Sequence, residues 1–272
     1  MPKLSIIIPT FNSAACIERC LRSIAVQTFS DYEVIVQDGC SSDGTVDQIT
    51  NFQRSDPGIG VKLAIEKDKG PYDAMNKGVR RATGEWLYFL GSDDELHHAD
   101  VLRSVMECGV AAAGDVIYGN VRVAGDAGWA RDNSVYDGRF DLRKLLSRNI
   151  CHQAIFYRTR FHREVGEYND DYTVCADWDF NLRCWSRAPF THIDLIVAKF
   201  RAGGISSGRF DESFGKDFVF NVLRYFRLSP YDPIVNTPAF AGFDEIRSIQ
   251  RSRQPLRRVA RRIRAVIRGM AL

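Results

Sequence analysis

Four short apolar runs punctuate the start of the chain, with polar or helical segments between them. The runs cover residues 4–9, 32–37, 61–65 and 86–90. Their β-branched and aromatic side chains are typical of buried strands. Between the first two runs, Ile17, Leu21 and Ile24 share one helix face, which predicts a helix over residues 14–27. Strands joined through helices predict a parallel sheet, because parallel neighbours need a crossover connection.

Acidic side chains stand where three of these strands end. Asp38 follows the second strand, Asp68 follows the third, and Asp93 and Asp94 follow the fourth. The carboxyl ends of parallel strands meet at one edge of a sheet, where α/β proteins bind ligands. Two adjacent carboxylates suit Mg²⁺ or Mn²⁺, which could in turn hold a substrate diphosphate. Each loop alone could equally be an Asx turn or helix N-cap, but their repetition favours a ligand site.

The rest of the chain continues the alternation with longer interruptions. Helices are predicted over 101–113, 174–183 and 214–228, and strands over 116–123, 193–200 and the end of 149–157. Residues 124–141 are rich in Gly, Asp and Arg without a clear period, and we interpret them as a mobile loop that could cover the active site. Asp177 and Asp179 open the helix at 174–183, where acids stabilise a helix through its dipole.

Composition indicates a soluble globular protein. Of the 272 residues, 45% are hydrophobic and 26% are charged, which is ordinary for this class. No apolar run approaches the roughly 18 residues of a membrane span, and the first residues lead into a strand rather than a secretory signal. The seven cysteines lack zinc-site spacing, so we expect reduced thiols in a cytoplasmic protein.

The net charge of +3 conceals a basic tail. Nine arginines and no acids follow Glu245, whereas the preceding residues hold 28 basic and 34 acidic side chains. A mildly acidic body does not predict nucleic-acid binding. From Leu256 to Met270, apolar residues share one helix face, which predicts a basic amphipathic helix on an anionic membrane surface. A helix packed on the acidic body and a disordered tail are the alternatives.

Four segments, in order, resemble glycosyltransferase family 2, and most closely its branch that builds bacterial exopolysaccharide and O-antigen repeat units. They are residues 5–12, 38–45, 68–78 and 89–94, and the resemblance covers about residues 3–208. It implies an α/β GT-A fold, a Rossmann-like, mostly parallel central sheet flanked by helices. We therefore expect a GT-A domain at 1–210, a helical extension packed on it at 211–245, and the basic tail at 246–272.

The resemblance also implies roles for particular acids. Asp38 matches the acid that reads the nucleobase, Asp94 matches a metal ligand, and Asp93 would face the ribose or a metal-bound water. Asp177 matches the base that deprotonates the acceptor hydroxyl. Ala176 stands where relatives have a Glu beside this base, which puts acceptor contacts in doubt more than catalysis.

The remaining residues expected to bind the nucleotide sugar lie in the same motifs, with one addition further along the chain. They are Pro9, Thr10, Asn12, Ser41, Asp68, Lys69, Gly70, Asp73, Asn76 and His152. Many relatives have an arginine where this chain has Met75, so Lys69 or Lys77 could supply the diphosphate contact instead. For His152, a structural histidine beside a strand is the alternative.

The predicted function is inverting transfer of a sugar from a nucleoside diphosphate, UDP first, to a hydroxyl of a lipid-linked saccharide. Mn²⁺ or Mg²⁺ would be the cofactor, and the protein would work at the inner face of the plasma membrane. A nucleotidyltransferase would need a glycine-rich basic loop after the first strand, where this chain has residues 10–13. A non-catalytic nucleotide-sugar or glycan-binding module is the other alternative. Ala176, in place of the Glu of the family motif, would then indicate that catalysis has been lost.

Overall fold

The computed structural model describes residues 1–109, 114–126, 129–204, 211–236 and 248. In these residues the strands are β1 (Leu4–Thr10), β2 (Tyr32–Asp38), β3 (Val61–Ile65), β4 (Trp86–Phe89), β5 (Glu95–Leu96), β6 (Val116–Ala124), β7 (Val135–Tyr136), β8 (Ile155–Arg158) and β9 (Phe190–Arg201). The α-helices are α1 (Ile17–Ala25), α2 (Thr45–Ser55), α3 (Pro71–Arg81), α4 (Val101–Ser104), α5 (Leu142–Ser147), α6 (Thr159–Val165), α7 (Ala176–Trp185) and α8 (Glu212–Tyr225).

These strands form one sheet in the order β3-β2-β1-β4-β8-β6-β9-β5, with β7 added beside β6. The first four pair in parallel, so the predicted βαβ organisation is confirmed. Beyond β4 the sheet is mixed: β8 is antiparallel to both of its neighbours, and β6 and β9 are parallel. The parallel half therefore brings four strand ends to one edge, and the mixed half continues the sheet past it.

Hydrophobic side chains cover both faces of the sheet. Along β1, Ile6 and Ile8 belong to one buried cluster and Ile7 to the other, as the two-residue period of a strand requires. Helices α1 and α2 pack on the first face, while α3, α7 and α8 contribute to the second. A sheet covered on both faces has continuous apolar strands, which explains the unbroken apolar run at β4.

The element bounds differ from the predictions in several places. Helix α1 begins at Ile17 rather than residue 14, because the preceding turn is closed by a bond from the Cys16 N–H to the Ser13 oxygen. Helix α4 ends at Ser104 and runs into one π-helical turn, Val105–Gly109. The segment interpreted as a loop at 124–141 contains β7, which pairs with β6.

The predicted tail helix lies outside the described residues. Its structure and the division into three domains therefore stay predictions, although Phe214 and Phe218 of α8 are buried in the same cluster as α3 and α7. Among the ranges given above, the structure contains no helix of the length and apolarity that a membrane crossing requires.

Glu33 ties the four parallel strands together at their amino ends. Its carboxylate is 6% exposed and accepts hydrogen bonds from Ser5 on β1, from Lys62 on β3, and from Thr83 and Gly84 ahead of β4. Burial alone would raise the pKa of Glu33, but the bonds from Lys62, Ser5 and Thr83 outweigh burial and lower this pKa to about 2. The ionised form is thus stabilised by the fold.

We predict that Glu33→Gln lowers the free energy of unfolding at neutral pH by an amount on the order of 3 kcal/mol. A depressed carboxyl pKa stabilises the fold above the unfolded-state value of about 4.5, and this contribution is lost as pH falls toward about 2. Urea unfolding at several pH values should therefore show the largest difference from wild type near neutrality and a shrinking difference in acid. Glu18→Gln, at an exposed pair with Arg22, is the matched control.

Candidate active site

The loops after β1 and β2 are joined by hydrogen bonds around Asp38. This carboxylate is fully buried and accepts from the backbone N–H of Ser41 at 2.8 Å and from its hydroxyl at 2.6 Å. The Ser41 hydroxyl accepts from the Asn12 N–H at 2.8 Å, and the Asn12 side chain accepts from the Ser42 N–H at 2.9 Å. Asn12, Asp38 and Ser41 therefore form one rigid group, as their predicted shared role requires.

Asp68 stands next to this group, after β3. Its Oδ1 accepts from the Gly70 N–H at 3.0 Å, while its buried Oδ2 has no hydrogen-bond partner among the described residues. A Cβ atom on Gly39 would lie 2.6 Å from that oxygen, so the glycine leaves the space in front of it open. Burial raises the pKa of Asp68. A buried acceptor without a partner is costly, and a polar group of a ligand would satisfy it.

The third motif turns sharply at Gly70, whose φ of +146° favours glycine. Asp73 accepts from the Lys69 N–H at 3.1 Å and pairs with Lys77 at 3.3 Å, so Lys77 is already neutralised within its own helix. Lys69 is 75% exposed at its side chain and pairs with Asp170 at 2.9 Å. Of the two lysines considered for a diphosphate contact, Lys69 is the more accessible.

Asp93 and Asp94 converge over Gly91. A Cβ atom on Gly91 would lie 2.5 Å from Asp94 Oδ2 and 3.0 Å from Asp93 Oδ1. Asp94 is 1% exposed and accepts from the Arg201 backbone N–H at 2.8 Å and from the Gln153 amide at 2.5 Å. Burial, followed by the neighbouring charge of Asp93, raises the pKa of Asp94 to about 7. Asp93 is the more exposed member of the pair.

The acid pair fits a divalent cation that takes most of its ligands from a substrate. Among the described residues there is no group of three or more His, Cys, Asp or Glu side chains that could enclose a metal. Mg²⁺ in particular is often held by one or two carboxylates together with phosphate oxygens and water. The assignment of the direct ligand to Asp94 stays a prediction, because both of its oxygens already accept protein hydrogen bonds.

Asp177 lies in the first turn of α7, held by groups from two other elements. Asn149 donates its side-chain amide to Oδ2 at 2.8 Å, and the Tyr72 hydroxyl lies 2.9 Å from Oδ1 and 2.5 Å from the Val174 oxygen. Burial raises the pKa of Asp177 to about 6, against the opposing effect of the Tyr72 and Asn149 hydrogen bonds. A carboxylate with this pKa is ionised near neutral pH and can accept a proton.

One short segment before β8 holds both acidic groups. Asn149 donates to Asp177, and four residues later Gln153 donates to Asp94. Cys151 lies between these contacts, and after burial the charges of both Asp94 and Asp177 raise the pKa of its thiol. Residues 149–153 therefore connect the predicted metal acid to the predicted base through hydrogen bonds.

Asn149 is itself fixed from behind. Its side-chain oxygen accepts from the Asn181 amide at 2.8 Å, and the Asn181 oxygen accepts from the Tyr157 hydroxyl at 2.7 Å. Tyr157 thus donates to Asn181, Asn181 to Asn149, and Asn149 to Asp177. This series of hydrogen bonds stabilises the ionised form of Asp177 and fixes the orientation of its carboxylate.

Four of the predicted binding residues have contacts that differ from the predicted role or only partly support it. Both polar atoms of the Asn76 side chain bond the backbone of Tyr168, so Asn76 anchors a loop, and a ligand contact would require breaking those bonds. His152 is buried, bonds the Tyr168 hydroxyl and has a pKa lowered to about 3 by burial, which favours the structural alternative. Pro9 and Thr10 end β1, beside Gln37 and Asp38, and the Thr10 hydroxyl bonds the Ile8 oxygen.

Sequence reasoning missed the residues that hold the acids. Tyr72, Asn149 and Gln153 donate to them, and the Arg201 backbone closes the site from β9. The polar cluster just before the strand at β8 was a usable signal, since polar side chains at a strand entrance often serve a site. The contact from the Arg201 backbone N–H to Asp94 could not be predicted from residue type, because every residue except proline has a backbone N–H.

Acidic side chains follow β2, β3 and β4 at one edge of the sheet, which is where α/β proteins bind ligands. The "Glycosyl transferase family 2" model matches residues 5–166, and the chain belongs to that family. A PGL/p-HBAD biosynthesis glycosyltransferase of Mycobacterium tuberculosis is 45% identical over 222 residues, which cover 79% of this chain and 83% of the relative. A GalNAc(5)-diNAcBac-PP-undecaprenol beta-1,3-glucosyltransferase of Campylobacter jejuni is 44% identical over 96 residues, covering 35% of this chain and 31% of the relative.

Solved structures share the fold. S. aureus TarS 1-349 in complex with UDP-GlcNAc matches with a TM-score of 0.66 at 20% identity, covering 90% of this chain and 72% of that one. The mannosyltransferase PcManGT from Pyrobaculum calidifontis, in complex with GDP-Man and Mn²⁺, matches with a TM-score of 0.58 at 18% identity. The match covers 86% of this chain and 67% of PcManGT. A longer TarS chain is covered to only 40%. The predicted GT-A fold is confirmed, and the protein is a glycosyltransferase.

We predict that Gly91→Ala lowers Mn²⁺-dependent nucleotide affinity about tenfold or more, because the added methyl group displaces the converging carboxylates. The melting temperature should also fall, because the buried Asp94 carboxylate that the methyl group meets is bonded to Gln153 and Arg201. Isothermal titration calorimetry and thermal melting measure the two effects. Gly58→Ala, where the nearest atom is 3.6 Å away, is the control. Unchanged affinity in Gly91→Ala would contradict a cation at this pair.

Proposed function

We propose that this glycosyltransferase is an inverting enzyme that transfers a sugar from a nucleoside diphosphate, UDP first, to a hydroxyl of a lipid-linked saccharide. The observation that supports the proposal most directly is the segment at 149–153, which donates hydrogen bonds to both Asp94 and Asp177. Acids that follow β2, β3 and β4 would contact the donor, and Asp177 on α7 would face the acceptor.

The reaction needs one proton acceptor and one displaced diphosphate. Asp177 takes the proton of the acceptor hydroxyl while the acceptor oxygen forms a bond to the anomeric carbon. At the same time the bond from that carbon to the diphosphate oxygen breaks, and the electron pair leaves with the nucleoside diphosphate. A single displacement on the opposite face inverts the anomeric centre. Asn149 and Tyr72 keep the base oriented during this step.

A divalent cation, Mn²⁺ or Mg²⁺, would neutralise charge developing on the leaving diphosphate. Asp94 and Asp93 are the residues that would hold it. Asp38, with Asn12 and Ser41, would bind the base and ribose, together with the unpartnered oxygen of Asp68. Lys69 would contact the diphosphate in place of the arginine that many relatives have at the position of Met75.

The comparisons support the substrate classes. TarS was crystallised with UDP-GlcNAc, and the name of the Campylobacter jejuni relative includes PP-undecaprenol, a lipid-linked acceptor. PcManGT was crystallised with GDP-Man and Mn²⁺, which supports a metal but leaves GDP as a possible donor nucleotide. A lipid-linked acceptor fits the basic tail at 246–272, which we propose binds the anionic inner face of the plasma membrane.

The donor site is tested by calorimetric titration of UDP, GDP and dTDP, with and without Mn²⁺. We expect one nucleotide to bind in a metal-dependent manner and to lose at least tenfold in affinity in Asp94→Ala and Asp93→Ala. Asp31→Ala, an exposed acid at the opposite end of the sheet, should bind as wild type does. Metal-independent binding, or full affinity in both acid-pair variants, would remove the cation from the proposal.

The base is tested by the pH dependence of turnover at saturating donor and Mn²⁺. Because burial raises the pKa of Asp177 to about 6, nucleotide release should fall about tenfold per pH unit below pH 6. Asp177→Asn should lower turnover by about 10²- to 10⁴-fold without changing nucleotide affinity. Affinity measured over the same pH range separates this base from titration at Asp94. Turnover that persists in Asp177→Asn would assign the base elsewhere.

The non-catalytic alternative makes the opposite prediction. A nucleotide-sugar-binding module would bind nucleotide, release none from any donor, and be indifferent to Asp177→Asn. The hydrogen bonds that Tyr72 and Asn149 provide favour the enzyme, since a module without proton transfer has no need for an oriented, half-buried carboxylate at this site.

A further inference from the structure

Trp129 is exposed beside the site although it is large and apolar. It is 47% exposed, whereas Trp86 is fully buried and Trp178 and Trp185 are intermediate. Single exposed apolar side chains are common and by themselves indicate nothing. Trp129 differs because of the two aromatic rings on which it rests. Its ring centroid lies 4.9 Å from that of Tyr136 and 5.5 Å from that of Phe200.

The Tyr136 contact connects Trp129 to the base. The Tyr136 hydroxyl donates to the Asn149 backbone oxygen at 2.6 Å, and the Asn149 side chain donates to Asp177. Burial raises the pKa of Tyr136, and the charges of Asp137, Cys151 and Asp177 raise it further. The indole therefore stands one ring away from the group that orients the base.

The Phe200 contact connects Trp129 to the acid pair. Phe200 is buried near the end of β9, and the next residue, Arg201, donates its backbone N–H to Asp94. Trp129 thus packs on one ring that bonds the segment holding Asp177 and on another that precedes the residue bonded to Asp94. An acceptor hydroxyl that reaches Asp177 lies within hydrogen-bond distance of that carboxylate, which Asn149 and Tyr136 connect to Trp129.

We propose that Trp129 is the platform on which the acceptor lies, an inference that rests on the proposed function. The ligand is a flat ring with one apolar face that carries the attacking hydroxyl. Either the C–H face of a sugar ring or an aromatic ring has this chemistry, and both pack on indole, whose N–H can also donate to a ring oxygen. Ala176 is fully buried and offers no polar contact, which leaves this aromatic surface to position the acceptor.

The test uses the full-length protein with the nucleotide sugar selected by calorimetry. Octyl β-glucoside, 4-octylphenol and octanol present a sugar ring, an aromatic ring and no ring on the same alkyl chain. Their binding is followed by quenching of tryptophan fluorescence, and their KM by probe-stimulated nucleotide release. Slow release of nucleotide to water is the donor-side readout. Phe220→Ala removes an aromatic side chain of similar exposure, 51%, on α8 and is the control.

We expect at least one ring-bearing probe to bind more tightly than octanol and to quench Trp129. Trp129→Ala should raise the KM of that probe about tenfold, Trp129→Phe should retain most of the affinity, and release to water should not change. Whichever ring is preferred identifies the acceptor class. Equal affinity for all three probes, no binding of either ring, or an unchanged KM in Trp129→Ala would overturn the inference. Loss of release to water, or its insensitivity to Asp177→Asn, would instead count against the proposed function.

Discussion

Parallel pairing of β1 with β2 on one side and β4 on the other is the constraint on which the site depends. The register places Thr10 opposite Asp38 and Ile7 opposite Phe89, so β1 and β2 end together, β4 ends three residues earlier, and all three loops leave the same edge of the sheet. Those loops then bond to one another, for example through the Ser13 and Ser92 hydroxyls at 2.8 Å. A slip of one residue would turn every side chain of the strand to the other face and separate the acids.

Hydrogen-bond donors decide what each buried carboxylate does. Glu33 accepts from four residues, one of them a lysine, and its pKa falls; it is a structural ion at the far end of the sheet. Asp94 has two donors and a charged neighbour, and its pKa rises to about 7. Asp177 lies between these cases, with a pKa of about 6. In Asp94 and Asp177 burial outweighs the hydrogen bonds and raises the pKa, whereas in Glu33 the hydrogen bonds outweigh burial.

Sequence reasoning predicted the parallel half of the fold and the acids at its edge, because strand periods and strand-end acids are local signals. It could not predict the mixed half, since β8 reaches β4 and β6 through long-range pairing that leaves no local pattern. The residues that bond the acids could not be predicted for the same reason. Tyr72, for example, is 105 residues from Asp177 along the chain. Asn76 was predicted to bind the nucleotide sugar, but its side-chain amide donates to the backbone of Tyr168, 92 residues away. Residue type shows what a side chain can bond, and only the fold selects the partner.

The structure explains how the chain accommodates Ala176 where relatives have a glutamate. Its side chain is fully buried at the start of α7, so a glutamate in this position would need a partner in the core or a different path for the chain. Asp177, one residue on, keeps both of its oxygens bonded to Asn149 and Tyr72. A base at Asp177, as proposed, would therefore not depend on a neighbouring acid. The proposed acceptor would meet a less charged surface on the side of α7 and would rely on neighbouring elements for its contacts.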